Sequence, residues 1–137
     1  HPLSISALAS YQRKLSKDMQ SVLVSYGKHI PWRAKIYHHP LLLAKGLRFS
    51  QPLKKNQALL LASSKENLQT IDMLFVFFPI DAIWLNKNKR VVHIVRSIQP
   101  FTPQISAPKK AQYILECPAN TTRKIKLHDT FSFVLHQ

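Results

Sequence analysis

At 137 residues and 45% hydrophobic, the chain is long enough for one unstapled core and too apolar for wholesale disorder. Twenty Lys and Arg against six Asp and Glu give a formal net charge of +14, which attracts polyanions or simply keeps the surface soluble by self-repulsion. No stretch of roughly eighteen apolar residues occurs, which excludes a membrane-spanning helix, and Cys117 stands alone, which excludes an internal disulfide.

In chain order, Leu3 to Val22 predicts an amphipathic helix. Ile5, Leu8, Leu15, Met19 and Val22 recur at helical spacing, and Ser4 or Ser6 can cap the start. Its apolar stripe is expected to pack on the domain; a basic arm that docks on a membrane or a partner is the alternative. Residues 1–28 thus read as a helical extension and residues 29–137 as a mainly-β domain. Gly27 breaks the chain, and Trp32 to Tyr37 alternates as a strand. His39-Pro40 opens a short helix, with Pro at the position where its missing N–H costs nothing, and Gly46 closes it. Phe49 to Lys55 is a loop around Pro52, Ala58 to Ala62 a short strand, and Ser63 to Thr70 a polar connection.

Met73 to Pro100 is the expected centre of the fold. An apolar run from Met73 to Phe78 breaks at Pro79 and resumes through Ala82, Ile83, Trp84 and Leu85. Asn86-Lys87-Asn88-Lys89 makes a polar knot before the β-branched run Val91 to Val95. This pattern predicts a β-hairpin with buried strands at Met73 to Phe78 and at Val91 to Val95. Apolar residues on both faces predict a central position rather than a sheet edge. Pro103 and Pro108 hold Phe101 to Lys110 open as a loop. Gln112 to Cys117 is a strand, Pro118 to Thr122 a turn leading to a single helical turn around Lys124, and Thr130 to Leu135 the closing strand. Many short strands with turns between them predict a mainly β, single-domain sandwich or barrel-like fold, with a central hairpin and minor helices.

Several stretches, taken in order, resemble the family called domain of unknown function 192. Ala44 to Phe49 is similar to its short helix ending in a Gly-Leu-Met-like segment. Met73, followed by Phe78-Pro79-Ile80-Asp81, resembles its Trp-Met-Lys-Asn-Thr-x-Ile-Pro-Leu-Asp stretch. Lys89 to Val92 resembles Gly-x-Val-Val, and Gln99-Pro100-Phe101 a Gln/Lys-Pro-Trp element. Gln112 to Glu116 with Pro118-Ala119-Asn120 resembles Tyr-Val-Leu-Glu-Leu-Pro-Ala-Gly, and Leu127-His128-Asp129 to Phe133 the closing Gly-Asp-x-x-x-Phe strand. The positions that carry the resemblance include Gly46, Met73, Pro79, Asp81, Pro100, Tyr113, Glu116, Pro118 and Asp129, within Trp32 to Phe133.

The chain also departs from that pattern. Leu74, Phe75 and Val76 replace the polar Lys-Asn-Thr, and Asp72 replaces the Trp. Three family glycines are Lys89, Asn120 and His128. Asn120 is expected to keep its turn, and Asn88 to take over the positive φ from Lys89. The resemblance implies a mainly-β domain, often in exported proteins, with no established reaction. The start at His1, without an initiator Met, likewise favours an exported or periplasmic protein.

Asp81, Glu116 and Asp129 are the acids at those positions, and two of them close in space could do acid–base work. An Asp in a turn more simply accepts backbone N–H bonds, as expected of Asp129 and of Asp81 at the bend after Pro79. The seven histidines, among them His38-His39, His93 and His128, have no metal-ligand spacing, and no metal or cofactor is expected. Cys117 reads as a small buried hydrophobe. Trp32, Tyr37 and Tyr113 lie near basic residues as a stacking platform would, but equally suit a core. The basic pairs Arg13-Lys14, Lys54-Lys55, Lys89-Arg90, Lys109-Lys110 and Arg123-Lys124 are scattered, and sequence leaves their convergence open. The leading reading is a non-enzymatic binding or accessory domain, more simply than an enzyme. Two alternatives stay open: binding of nucleic acid, another polyanion or an acidic protein through the basic surface, and a hydrolase-like enzyme using Asp81 or Glu116.

Overall fold

The computed structural model describes residues 4–7 and 20–135. Its strands are Gln20–Tyr26 (β1), His29–Tyr37 (β2), Gln57–Asn67 (β3), Thr70–Ile71 (β4), Ile80–Leu85 (β5), Val91–Ile98 (β6), Ile105–Ser106 (β7), Ala111–Pro118 (β8) and Phe131–Leu135 (β9). The helix Pro40–Lys45 (α1) connects β2 to β3. A seven-stranded sheet runs in the order β6-β5-β8-β3-β2-β1-β9, and β4 pairs with β7 in a small ribbon. Within the large sheet β2 and β3 are parallel and every other pair is antiparallel. The parallel pair needs a crossover, which is the task of α1.

Both faces of the sheet are covered. On one lie Tyr37, Leu61, Met73, Val76, Ala82, Trp84 and Ile114; on the other Val22, Val24, Trp32, Leu60, Ile83, Leu115 and Phe131. Every residue of β5 is therefore buried, the signature of a strand packed on both sides. The two edge strands meet at one corner through an Arg90↔Thr130 bridge, with Val91 N–H donating to Asp129 O and Phe131 N–H to Lys89 O, both at 2.8 Å. The sheet closes no further, so the mainly-β expectation holds as a curled, open sheet and not as a closed barrel.

The β5–β6 hairpin forms about Asn86, whose Oδ1 accepts from Asn88 N–H at 2.9 Å and Arg90 N–H at 3.0 Å. Other expectations are corrected. The hairpin is not central, because β6 is an edge strand. Met73 to Phe78 is not a strand but a loop beneath the sheet, with Phe75 in a left-handed conformation (φ 60) that no strand continues through. Val22 belongs to β1, not to a helix. Of that helix only residues 5–7 are described, with Ser4 Oγ accepting from Ala7 N–H at 3.1 Å. Ile5 is exposed there rather than packed, while Leu8, Leu15 and Met19 lie outside the described residues. Ser63 to Asn67 continues β3, and the segment at Lys124 is a turn, not a helix. Lys89 itself takes the positive φ (61), as do Asn120 (68) and His128 (77). All three positions where the family pattern has glycine thus keep a glycine-like backbone without glycine. The Lys89 ammonium lies 5.4 Å from the Phe133 ring.

Candidate functional site

α1 begins at Pro40 behind His39, whose Nδ1 accepts from Leu41 N–H at 3.2 Å, and ends at Gly46 (φ 50). That positive-φ glycine turns the chain so that Leu47 drops into the core and Arg48 faces the loop before β5. Arg48 makes a bidentate pair with Asp72, Nη1 to Oδ1 at 2.6 Å and Nη2 to Oδ2 at 2.7 Å. Nη1 also donates to Leu74 O at 2.8 Å and Nε to Ala44 O at 3.2 Å, while Leu74 N–H donates to Asp72 Oδ1 at 3.0 Å. This fork clamps the end of α1 to the 72–75 loop. The hydrogen bond from Arg48 holds the Asp72 carboxyl below its ordinary range, against the opposing effect of partial burial.

Beneath the clamp is a cavity of about 270 Å³, walled by Leu61, Val76 and Ile114, with Ser63, Gln69 and Thr70 as polar neighbours. Glu116, from β8 near the middle of the sheet, lines it. It is 4% exposed, and its Oε1 has no hydrogen-bond partner. Burial raises its pKa to about 7; the Asp72 charge adds to this and the Arg48 charge opposes it. Near neutral pH the carboxyl therefore stands close to half-protonated, able to donate or accept a hydrogen bond.

Asp81 is equally buried and differently placed. In the β5–β8 register Asp81 pairs with Cys117 and Ala82 with Glu116, so alternation along each strand puts the two carboxyls on opposite faces of the sheet. They cannot form a catalytic pair. Asp81 accepts from Ser97 N–H at 2.8 Å and from the Thr122 hydroxyl at 2.7 Å. Asp129 Oδ2 accepts from Lys126 N–H at 2.9 Å, the turn role expected of it. Cys117 is buried, and burial, followed by the Asp81 and Glu116 charges, raises its pKa well above the ordinary thiol value. It is a core residue, not a nucleophile.

Of the other motif positions, Gly46 lines the cavity. Met73 is buried, its N–H donating to Thr102 O at 2.7 Å and its carbonyl accepting from Phe101 N–H at 2.9 Å. Pro79 precedes β5, Pro100 lies in the turn after β6, and Pro118 ends β8. Tyr113 packs edge-on against Phe133 at 5.3 Å, and Trp32 and Tyr37 are buried, so these aromatics form no exposed stacking platform. Among the described residues no three His, Cys, Asp or Glu side chains come together as a metal site. The Arg48–Asp72 clamp is not foreseeable from sequence: the two residues are 24 positions apart, and nothing local announces the pairing. The one trace is Asp72 standing where the family pattern has Trp.

Two solved structures share this fold. A protein of unknown function from Novosphingobium aromaticivorans matches with a TM-score of 0.72 and 21% identity, over 83% of each chain. A candidate transcription regulator from Sinorhizobium meliloti matches with a TM-score of 0.74 and 15% identity, over 82% of this chain and 90% of that one. At such identities the likeness is one of fold alone. No curated protein matches the chain. The family model of domain of unknown function 192, described as Uncharacterized ACR, matches residues 22–132. These span β1 into β9 and include the whole Arg48, Asp72 and Glu116 cavity. The chain belongs to this family.

Proposed function

We propose that the domain is a non-enzymatic binding domain whose cavity under the Arg48–Asp72 clamp takes a small polar molecule on Glu116. The observation that carries this reading is the buried Oε1 of Glu116 without a partner. Buried polar atoms are nearly always satisfied, and leaving one unmade costs roughly 1–3 kcal/mol. A ligand N–H or O–H supplies the missing bond. The cavity of about 270 Å³ suits a molecule of one ring or a short chain, since an engineered cavity of roughly 150 Å³ takes benzene. Its ligand carries a donor at one end, an amine, amide or hydroxyl, and an apolar body against Leu61, Val76 and Ile114. Binding fits better than catalysis because the nearest other carboxylate, Asp72, is held by Arg48, and Asp81 faces away.

The test is a screen of small amines, amides and alcohols, followed through the methyl resonances of Leu61, Val76 and Ile114. Binders are expected to shift these methyls and to lose affinity by tenfold or more in Glu116→Leu. Methyls that never respond, or binding that survives Glu116→Leu, would remove the basis for this reading.

A further inference from the structure

Four phenylalanine rings gather on the surface where three loops meet. Phe49 is 72% exposed, Phe77 62%, Phe75 47% and Phe101 43%. Phe49 stacks on Phe75 at 4.9 Å, and Phe101 meets Phe75 and Phe77 edge-on at 5.9 and 5.1 Å. Backbone bonds stitch the loops together, Phe49 N–H to Phe75 O and Phe101 N–H to Met73 O, both at 2.9 Å. Three of the four, Phe49, Phe75 and Phe101, have positive φ (57, 60 and 63), a conformation in which a bulky side chain is a genuine outlier. Here they point to solvent, so the fold's own core does not account for them.

The same turn that carries Phe49 forms the wall of a second concavity, of about 500 Å³. Arg33, Lys35, Lys45 and Lys54 line it, and no acid does. Lys45 Nζ lies 3.4 Å from the hydroxyl of Ser50, the residue after Phe49, so a cationic groove and the aromatic patch adjoin. Burial, and then the charge of Lys35, lowers the pKa of Lys45, a strain that an anion in the groove relieves. The loop stretches 47–50, 73–79 and 99–102 contain no acid, and neighbouring Asp72 is matched by Arg48.

We propose that this face docks on an anionic membrane surface, with the four phenyl rings entering the interface and the Arg33, Lys35, Lys45 and Lys54 groove holding lipid phosphates. Charge complementarity selects this occupant: the chain carries a net charge of +14, and anionic bilayers attract exposed cations while accepting apolar side chains at headgroup depth. Interfacial binding grows with both contributions, so removing either weakens it.

The experiment is flotation of the full chain with phosphatidylcholine vesicles and with vesicles containing about a quarter phosphatidylglycerol, at roughly 150 mM salt, where surface charge is screened over about 8 Å. Binding to the anionic vesicles alone is expected. Phe77→Ser and Phe49→Asn should each weaken it about tenfold, from the apolar burial each ring loses. Asn tolerates the positive φ at position 49, so the fold is kept, and an unchanged thermal melt checks this. Lys35→Gln with Lys45→Gln should weaken binding by a similar factor. No binding to anionic vesicles overturns the proposal, as does equal binding to neutral ones. Binding that is indifferent to both Phe substitutions also overturns it. Duplex DNA bound through the groove with no vesicle binding would assign this face to nucleic acid instead.

Discussion

Asp81 stands opposite a bulge: between the Ile80↔Ile98 and Ala82↔Val95 pairs, β6 carries Arg96 and Ser97 against this one residue of β5. Its carboxylate takes the Ser97 N–H and the Thr122 hydroxyl. Thr122 in turn accepts from Arg96 Nε at 3.1 Å, and Arg96 Nη2 donates to Thr122 O and Ile125 O at 2.9 and 2.7 Å. Bulge, turn and edge strand are thus fixed by one buried network. Asp81→Asn removes the charged acceptor that the Ser97 N–H and the Thr122 hydroxyl share, and urea unfolding should show a loss of roughly 1–3 kcal/mol; an unchanged midpoint would sink this structural role. Glu116 behaves oppositely. Its folded pKa of about 7 lies above the ordinary value of 4.5, so the folded state binds the extra proton between those values. Its contribution is fully present below pH 4.5 and is lost as pH rises through 7, on the order of 3 kcal/mol in all. Glu116→Leu should therefore flatten stability across that window and be the more stable protein at pH 8. A wild-type curve that rises through the same window would contradict the raised pKa. The sequence shows Asp81 bedded among Phe77, Phe78, Ile83 and Trp84, and hence a need for partners. It cannot show Glu116 over a cavity, because the cavity's walls come from α1, β3, β8 and the 72–76 loop.

Among the elements, those announced by local chemistry are legible. Pro40 and Gly46 bound α1, and alternating or β-branched runs mark β2, β8 and β9. The failures share a cause. In Met73 to Phe78 apolar residues run together, and such a run looks alike whether it pairs in a sheet or packs under one. The strand QSVLVSY has Val22 and Val24 buried on one face, yet Val22 also completes the helical spacing of the preceding residues, and the helical period absorbs it. The edge position of β6 depends on strand order, which no local pattern encodes. One consequence can be measured. Deleting residues 1–28 removes β1 from between β2 and β9, together with buried Val22 and Val24. The truncated chain should lose cooperative unfolding altogether, because β9 then keeps only its corner contact with β6. A truncated protein that still melts cooperatively would mean that β1 is dispensable.

For the molecule as a whole, the net charge of +14 sets the electrostatics. Among the described residues, Arg48–Asp72 is the one ion pair of side chains, so the remaining cations mostly repel one another. Raising salt from about 10 to about 100 mM shortens the screening length from roughly 30 to 10 Å. The thermal midpoint should rise by a few degrees over that range; a fall would mean that attraction outweighs repulsion. Fold class is readable at this scale and connectivity is not, and the connectivity has a kinetic side. β9, the last strand, has β1, the first, as its full-length neighbour, from Val22↔Leu135 to Tyr26↔Phe131. The pairing of longest range thus joins the first and last of the described strands, and loops that long are slow to close. A permuted gene that places Gln20–Tyr26 after Leu135, across a short linker, turns this remote encounter into a hairpin. Such a permutant should refold faster than the natural order of strands while unfolding at a similar rate, and stopped-flow traces of the two chains would decide it.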